Sequence, residues 1–457
     1  MRPVPTQDLS SLIGNTPMVQ LTQFDTGPCE LYLKLELQNP GGSIKDRIGL
    51  SMIEAAEKEG KLGGDKRHLI EATAGNTGLS LALVAAQRGY KLTLVIPDKM
   101  SQEKIFHLRA LGVELVITRS DVGKGHPEYY QDVARRIADQ TGAFLVNQFE
   151  NPANPLAHET STGPEIFAQM NGDVDAVVCG VGSGGTMTGL SRYFAKVKPE
   201  LEMVLADPKG SILVDYVATG KLGEAGSWVV EGIGEDFIPA VCDLSRVKRA
   251  YTIPDKESLE TARALLRKTG ILAGSSSGTL LAAALRYCKD QTEKKKVVTF
   301  ACDSGNKYLS KMFNDYWMLD QGFTERTAYG DLRDIISRKH VDHAVVTVSP
   351  KDSLLVAYGR MKLYDVSQIP VMDQGKIVGL VDESDLLLAA MHDPSTFKKP
   401  VAEVMSKQLT TVPSTTPIAD LIPIYARGWV PIVVDNGDFV GLATKIDVLN
   451  YLRRRMS

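Results

Sequence analysis

Cysteine is scarce in this chain of 457 residues: five thiols, at 29, 179, 242, 288 and 302, odd in number and widely separated. That argues against a disulfide framework, and no Cys-x-x-Cys pair is present, so reduced thiols are expected. Excess charge of one sign is lacking too, with 52 Lys and Arg against 55 Asp and Glu, a net charge of −3 and a pI near 6.2. The basic residues are spread along the chain, which gives nucleic acid nothing to bind and makes it an unexpected partner. The densest basic runs, Lys294 to Lys296 and Arg453 to Arg455, read as solvated helix ends. No apolar run approaches the roughly 20 residues of a membrane span, and the start MRPVPTQDLS has no apolar signal region. Membrane association is therefore not expected, and a cytoplasmic location is. The length suffices for two or more domains.

Glycine-rich turns are abundant, and four of them carry chemistry. The alternating run Leu31 to Leu37 reads as a half-buried strand, followed by the turn residues of Asn39-Pro40-Gly41-Gly42-Ser43. Ser43 is a candidate helix N-cap, which puts Lys45 in the first helical turn. An ammonium there meets the positive end of the helix dipole and loses its proton more readily, as a Schiff-base nucleophile must. The second turn lies in EATAGNTG, Glu71 to Gly78, between a short strand and a helical pattern from Leu79. Its free N–H groups suit a carboxylate, and the Asn76 amide can donate to a phenolic oxygen. An ordinary N-cap loop would look the same.

The third turn, Cys179 to Gly189 (CGVGSGGTMTG), follows the apolar strand Val174 to Val178. Backbone amides at Gly182, Ser183, Gly184 and Gly185, with the Thr186 hydroxyl, can close around an anion. A dinucleotide fingerprint is also glycine-rich, but here the spacing is G-x-G-x-G-G and only Asp207, in DPKGS, loosely matches the expected acidic residue. A phosphate cup for a mononucleotide-sized cofactor fits better. The fourth turn, Gly274 to Gly278, opens another helix within Ile271 to Leu285. Ser276 can hydrogen-bond a pyridine nitrogen, and a hydroxyl there leaves the ring near neutral, which suits elimination and replacement at a β carbon. A serine-rich N-cap is the plainer reading of that segment alone.

In combination, these segments resemble the fold-type II enzymes that use pyridoxal 5′-phosphate (PLP), the cysteine synthase/cystathionine β-synthase family. The likeness runs from Ser11 to about Phe323, roughly 70 per cent of the chain. VEGIGEDFIP (Val230 to Pro239), ADPKGSIL (Ala206 to Leu213), NQFENPANPLAH (Asn147 to His158) and NDYWMLDQGF (Asn314 to Phe323) point to its cystathionine β-synthase branch. The resemblance implies an α/β, tryptophan synthase β-like core of two subdomains. It makes Lys45 the Schiff-base lysine and puts Asn76 on the cofactor's ring oxygen. Gly182 to Thr186 would surround the phosphate, with Ser276 on the ring nitrogen. Thr73, Ala74, Gly75 and Thr77 would hold the substrate carboxylate, with Gln148, Gly232 and Glu235 nearby. The shared motif starts near Ser11, so the haem-binding extension of the animal enzymes, and haem itself, are not expected. Phe149, Glu235 and Ala74 depart from residues frequent in the family, which bears on the second substrate and leaves the cofactor chemistry intact.

Beyond a polar stretch, Thr324 to Arg333, lies an internal repeat. Val366 to Leu387 recurs as Gly428 to Leu449, each copy with a hairpin turned at Gly375 or Asn436-Gly437 and a helix opening near Asp385 or Asp447. The tandem looks like a pair of CBS domains. The division read from sequence is a catalytic domain at 1–323, a linker at 324–335 and CBS domains at 336–395 and 396–457. Such modules bind adenosyl ligands. Thr444-Lys445-Ile446-Asp447 matches their T-x-x-D turn, with Gln368 on the facing strand, while the first copy reads Asp382-Glu383-Ser384-Asp385 and lacks the threonine. Ligand sensing and a purely assembling role both remain open for this module.

The activity implied by the resemblance is β-replacement, a lyase reaction condensing L-serine with L-homocysteine to L-cystathionine, with hydrogen sulfide a further product. Cysteine synthesis from O-acetylserine is the alternative substrate pair. An adenosyl sensor built on an inactive PLP fold is the alternative of another class, disfavoured by an intact Lys45, Asn76 and Ser276. A homodimer or larger homo-oligomer is expected.

Overall fold

The computed structural model describes residues 8–73, 75–98, 100, 102–123, 125–324, 327–336 and 338–454. Its compactness divides the chain into two units, Met1–Phe313 and Asn314–Ser457.

The first unit holds two sheets. Six strands run in the order Met18–Gln20, Glu30–Lys34, Lys296–Phe300, Ala176–Cys179, Glu202–Pro208 and Val247–Ile253. All neighbours are parallel except the first pair. The other sheet is wholly parallel, ordered Glu114–Thr118, Lys91–Pro97, His68–Ala72 and Phe144–Leu145. Parallel strands are covered by helices on both faces, which is why segments such as Ala-Val-Val-Cys (176–179) are buried at every position. Each sheet has its own apolar core, one including Val177, Val204, Leu281 and Phe300, the other Ile48, Leu69, Leu81 and Leu94.

The run Leu31 to Leu37 departs from the half-buried strand expected of it. Strand Glu30–Lys34 is paired on both edges, and its polar partners Lys34 and Glu36 are buried rather than solvated. They form an ion cluster: Arg47 pairs with Glu36 at 2.8 Å and Glu165 at 2.7 Å, and Lys34 with Glu165 at 2.9 Å. Burial works against the Glu165 carboxylate, yet its hydrogen bonds and charge contacts with Arg47 and Lys34 hold its pKa down to about 2. The run Lys294 to Lys296 is likewise no helix end. It leads into strand Lys296–Phe300, and its ammoniums pair with Glu30, Glu202 and Asp173.

The second unit contains the repeat. Strands Gln368–Asp373 and Lys376–Asp382 form one antiparallel hairpin, and Ile432–Asp435 and Asp438–Leu442 the other, with a register shift after Val371 in the first and after Val433 in the second. Both turns have two residues at positive φ, Gln374 and Gly375 at 47° and 80°, Asn436 and Gly437 at 51° and 88°. Two-residue hairpins need that conformation, and Asn-Gly or Gly supplies it without strain. Helices Glu383–His392 and Lys445–Arg454 follow. The copies trade segments: Leu332, Ile335 and Ile336 pack with Leu421, Val433 and Ala443 of the second copy, while Val401 packs with Val371 and Val381 of the first. Asn314–Phe323 lies in this unit, where Trp317 and Phe323 stack with centroids 6.0 Å apart.

Candidate active site

Three of the glycine-rich turns follow parallel strands at their C-terminal ends, where open α/β sheets bind ligands. The fourth, after helix Asp255–Thr269, meets the residues just past strand Lys296–Phe300, where the Ser277 hydroxyl accepts the Cys302 N–H at 2.9 Å. They enclose a cavity of about 340 Å³. Lys45, Thr73, Gly75, Asn76, Thr77, Gln148, Gly182, Ser183, Gly184, Thr186, Gly232, Glu235 and Ser276 all line it. Gly185 stands behind the wall, packed on Asn154, and Ala74 lies outside the described residues.

Lys45 is the first residue of helix Lys45–Lys58. The cap residue is Ile44, in helical conformation, with Ser43 one step earlier accepting the Lys45 N–H at 3.3 Å. The turn is held by Asp46, whose carboxylate accepts the Gly41 N–H at 2.5 Å, and a Cβ on Gly41 would strike that same oxygen pair. Burial drives the Lys45 amine below its ordinary pKa, opposed by Cys302, Glu235 and Asp303. No hydrogen bond or ion pair ties its Nζ to the protein among the described residues, so a nucleophilic amine faces the cavity.

At the cup, helix Gly185–Val197 presents its unpaired N-terminal amides, preceded by Gly184 at φ 85°. Side chains are excluded on contact: a Cβ on Gly182 would lie 2.6 Å from the Gly232 oxygen, and one on Gly184 would meet Cys242. The Thr186 hydroxyl lies 3.2 Å from Nε2 of His158, whose Nδ1 meets Thr162 at 2.9 Å. Burial keeps the His158 pKa well below its usual value, so the imidazole stays neutral. Ser183 accepts from Asn154 Nδ2 at 3.0 Å. Asp207, the loose dinucleotide candidate, is buried instead and caps the helix Leu213–Thr219 through the Val214 N–H at 3.3 Å.

Asn76 opens helix Asn76–Arg88 directly, three residues before the expected start. Its Nδ2 donates to Asp303 at 2.8 Å and its Oδ1 accepts from Lys307 at 2.8 Å. Thr77 donates to Gln148 Oε1 at 2.7 Å, and the Gln148 N–H reaches Glu71 at 3.3 Å. Ser276 lies in the first turn of helix Ser275–Lys289, beside Cys302, whose thiol is pushed up to about 12 by burial. The sequence reading missed a charged chain beside the cavity. Asp303 accepts from Tyr308 at 2.7 Å, Lys104 donates to Tyr308 at 3.2 Å and to Glu231 at 2.5 Å, and Lys311 reaches Glu231 at 2.7 Å. Its members come from distant segments, and no local spacing announces them.

The second unit repeats one turn twice. Thr444 N–H donates to Asp447 at 2.8 Å and its hydroxyl donates to the same carboxylate, while Asp382 N–H donates to Asp385 at 3.0 Å and the Asp382 carboxylate accepts the Asp385 N–H at 2.8 Å. Asp382 thus stands where the second copy has Thr444. Ile446 is exposed on the following helix. Gln368 pairs across its hairpin with Asp382, and among the described residues no hydrogen bond joins it to Thr444 or Asp447.

A buried amine facing a cavity, a glycine cup at a helix N-terminus and a serine hydroxyl on the same cavity wall match the aldehyde, phosphate and ring of PLP in kind and number. Residues 9–303 match the pyridoxal-phosphate dependent enzyme family, and residues 332–392 and 401–454 each match the CBS domain. The chain is therefore a PLP-dependent enzyme of the lyase type, with a fold-type II core and a tandem CBS module. It is 34% identical to a cystathionine beta-synthase of Dictyostelium discoideum, over 97% of this chain and 91% of that one. Among solved structures, an O-acetylserine dependent cystathionine beta-synthase from Helicobacter pylori superposes with a TM-score of 0.63 at 36% identity, covering 68% of this chain and 99% of that one. A hydrogen sulfide-producing enzyme from Fusobacterium nucleatum gives 0.62 at 38% identity, covering 67% and 100%. The chain belongs to the cystathionine β-synthase family.

Proposed function

We propose that the enzyme condenses L-serine with L-homocysteine to L-cystathionine and water. The carrying observation is the Lys45 amine, buried, unpaired and placed between the carboxylate loop (Thr73, Gly75, Thr77, Gln148) and the cleft segment of Gly232 and Glu235. PLP, when bound, disperses over its ring the electron pair left at the substrate Cα. Asn76 and Ser276 hold that ring by its oxygen and nitrogen, and residues 182–186 hold the phosphate. The N–H groups of Asn76 and Thr77 at the helix start and the Thr73 hydroxyl bind the serine carboxylate and orient Cα over the lysine, while the Thr77 hydroxyl, given to Gln148, holds the loop. Lys45 Nζ takes the Cα proton and gives a proton to the departing β-hydroxyl, which leaves as water. Lys45 Nζ then takes the thiol proton of homocysteine as the sulfur bonds to Cβ, and delivers that proton to Cα. The Helicobacter relative's dependence on O-acetylserine supports acetate as a second leaving group. Steady-state rates with L-serine and O-acetyl-L-serine, each against homocysteine and against sulfide, decide between the pairs. The proposal requires the highest kcat/KM for serine with homocysteine, and a clear preference for O-acetylserine overturns it.

The CBS module is proposed to bind an adenosyl ligand at the second copy's turn, with Thr444 and Asp447 on the ribose and Gln368 and Ile446 alongside. The two turns share the main-chain N–H to Asp385 or Asp447 bond, and Asp382 in place of Thr444 adds negative charge, which supports this asymmetry. Exposed Leu363, Leu387, Met391, Leu449 and Leu452 on the module's helices support a homodimer or larger homo-oligomer, which light scattering would measure. No helix among the described residues is long and apolar enough to cross a membrane, and all five cysteines are free, which fits a cytoplasmic enzyme.

A further inference from the structure

Lys307 belongs to none of the motifs that mark the cofactor site, yet its ammonium is buried beside it. Nζ donates to Asn76 Oδ1 at 2.8 Å and to the main-chain oxygens of Gly41 and Gly42 at 3.2 Å each. Three acceptors use all three of its protons. Burial lowers the pKa of this amine, and the Asp303 carboxylate opposes that shift. An ammonium offers donors and no acceptor, so only the oxygen end of the Asn76 amide can face it. The other end is then fixed as well: Nδ2 gives one proton to Asp303 at 2.8 Å. Its second N–H has no protein acceptor among the described residues. Reversed, the amide would set its N–H₂ against the ammonium and its oxygen against the Asp303 carboxylate, both repulsive.

We propose that Lys307 is a positioning residue that acts through Asn76, locking the amide so that a donor and not an acceptor is left for the ring oxygen of PLP. The proposal rests on the reading of Asn76 as that oxygen's partner. The Lys307 cation on the far side of Asn76 would also favour the ionised form of that ring oxygen. The bonds to Gly41 and Gly42 anchor the Lys307 ammonium itself, so that its third proton is held on Asn76 Oδ1.

The test uses holoenzyme and two readouts other than turnover: the rate at which PLP is lost to a trapping protein, and the pH midpoint of the bound cofactor's absorbance. Lys307→Met, Asn76→Ala and the double variant are compared with wild type. Lys307→Met should speed cofactor loss about tenfold, as expected for losing a charge-assisted bond, and should raise the pH midpoint, because a nearby cation has gone. In the Asn76→Ala background the same substitution should change the loss rate less than about twofold, the signature of two residues acting as a unit. An equal factor in both backgrounds would overturn the proposal and leave the role of Asn76 standing. Asn76→Ala that holds PLP as wild type does would remove the reading of Asn76 and the proposal with it. If Lys307→Met does not fold, Lys307→Gln allows the same comparison.

Discussion

Thr77 donates its hydroxyl proton to the side-chain oxygen of Gln148 across 2.7 Å, and both residues are buried. The bond ties the carboxylate loop after strand His68–Ala72 to the turn at Asn147, which itself needs positive φ at 50°. Thr77→Val leaves the Gln148 oxygen without a donor, at a cost of about 1–3 kcal/mol. The KM for serine should rise about tenfold, with a smaller change in the KM for homocysteine. Initial-rate measurements with each substrate varied in turn check this.

Behind that turn, Glu71 is buried and its Oε2 has no hydrogen-bond partner among the described residues. Burial raises its pKa from 4.5 to about 8. The unfolded chain ionises this carboxyl near 4.5 while the folded chain keeps its proton, so folding stability falls as pH rises between those values. Glu71→Gln keeps an oxygen for the Gln148 N–H and has no proton to lose. Its unfolding midpoint in denaturant should therefore gain on wild type steadily from pH 5 to pH 8, by a few kcal/mol overall. A constant difference across that range would mean that Glu71 is already ionised in the folded protein.

What could be read from sequence was what is local. Asn39 to Ser43, Gly75 to Gly78, Gly182 to Gly185 and Asn436-Gly437 announce themselves because turn chemistry lies in adjacent residues. Lys34 and Glu36 misled because their alternation with leucines looks solvated, whereas Arg47 and Glu165, distant in sequence, neutralise them inside. Lys307 and Asn76 stand 231 positions apart, and only the folded chain joins them. The same holds for Leu332 and Ile336, which read as the end of a linker and the start of the first copy but pack into the second.

Glu235 lies on the cavity wall, its main chain fixed by Ser211 at 3.0 Å and Ile212 at 3.1 Å, and its charge raises the proton affinity of Lys45. A carboxylate there can pair with the ammonium of homocysteine, a charge-assisted bond of about 1.5–3 kcal/mol. Glu235→Gln should raise the KM for homocysteine roughly tenfold and leave unchanged the spectral response to serine alone. Equal losses on both half-reactions would show that Glu235 shapes the cleft rather than reading the second substrate.

Asp447→Ala should abolish binding of S-adenosylmethionine by the full chain in calorimetric titration, and Asp385→Ala should leave it intact. Binding that survives Asp447→Ala would place the ligand elsewhere.

Lys45 is the amine proposed to move the substrate's proton. Direct quantitation of L-cystathionine formed from L-serine and L-homocysteine by wild type and Lys45→Ala, both saturated with PLP, tests it most directly. Wild type should form product continuously and the variant should lose at least about a thousandfold, since Lys104, a second amine on the described cavity wall, is committed to Glu231 and Tyr308. A variant within tenfold of wild type, or wild-type enzyme that makes no cystathionine, would contradict it.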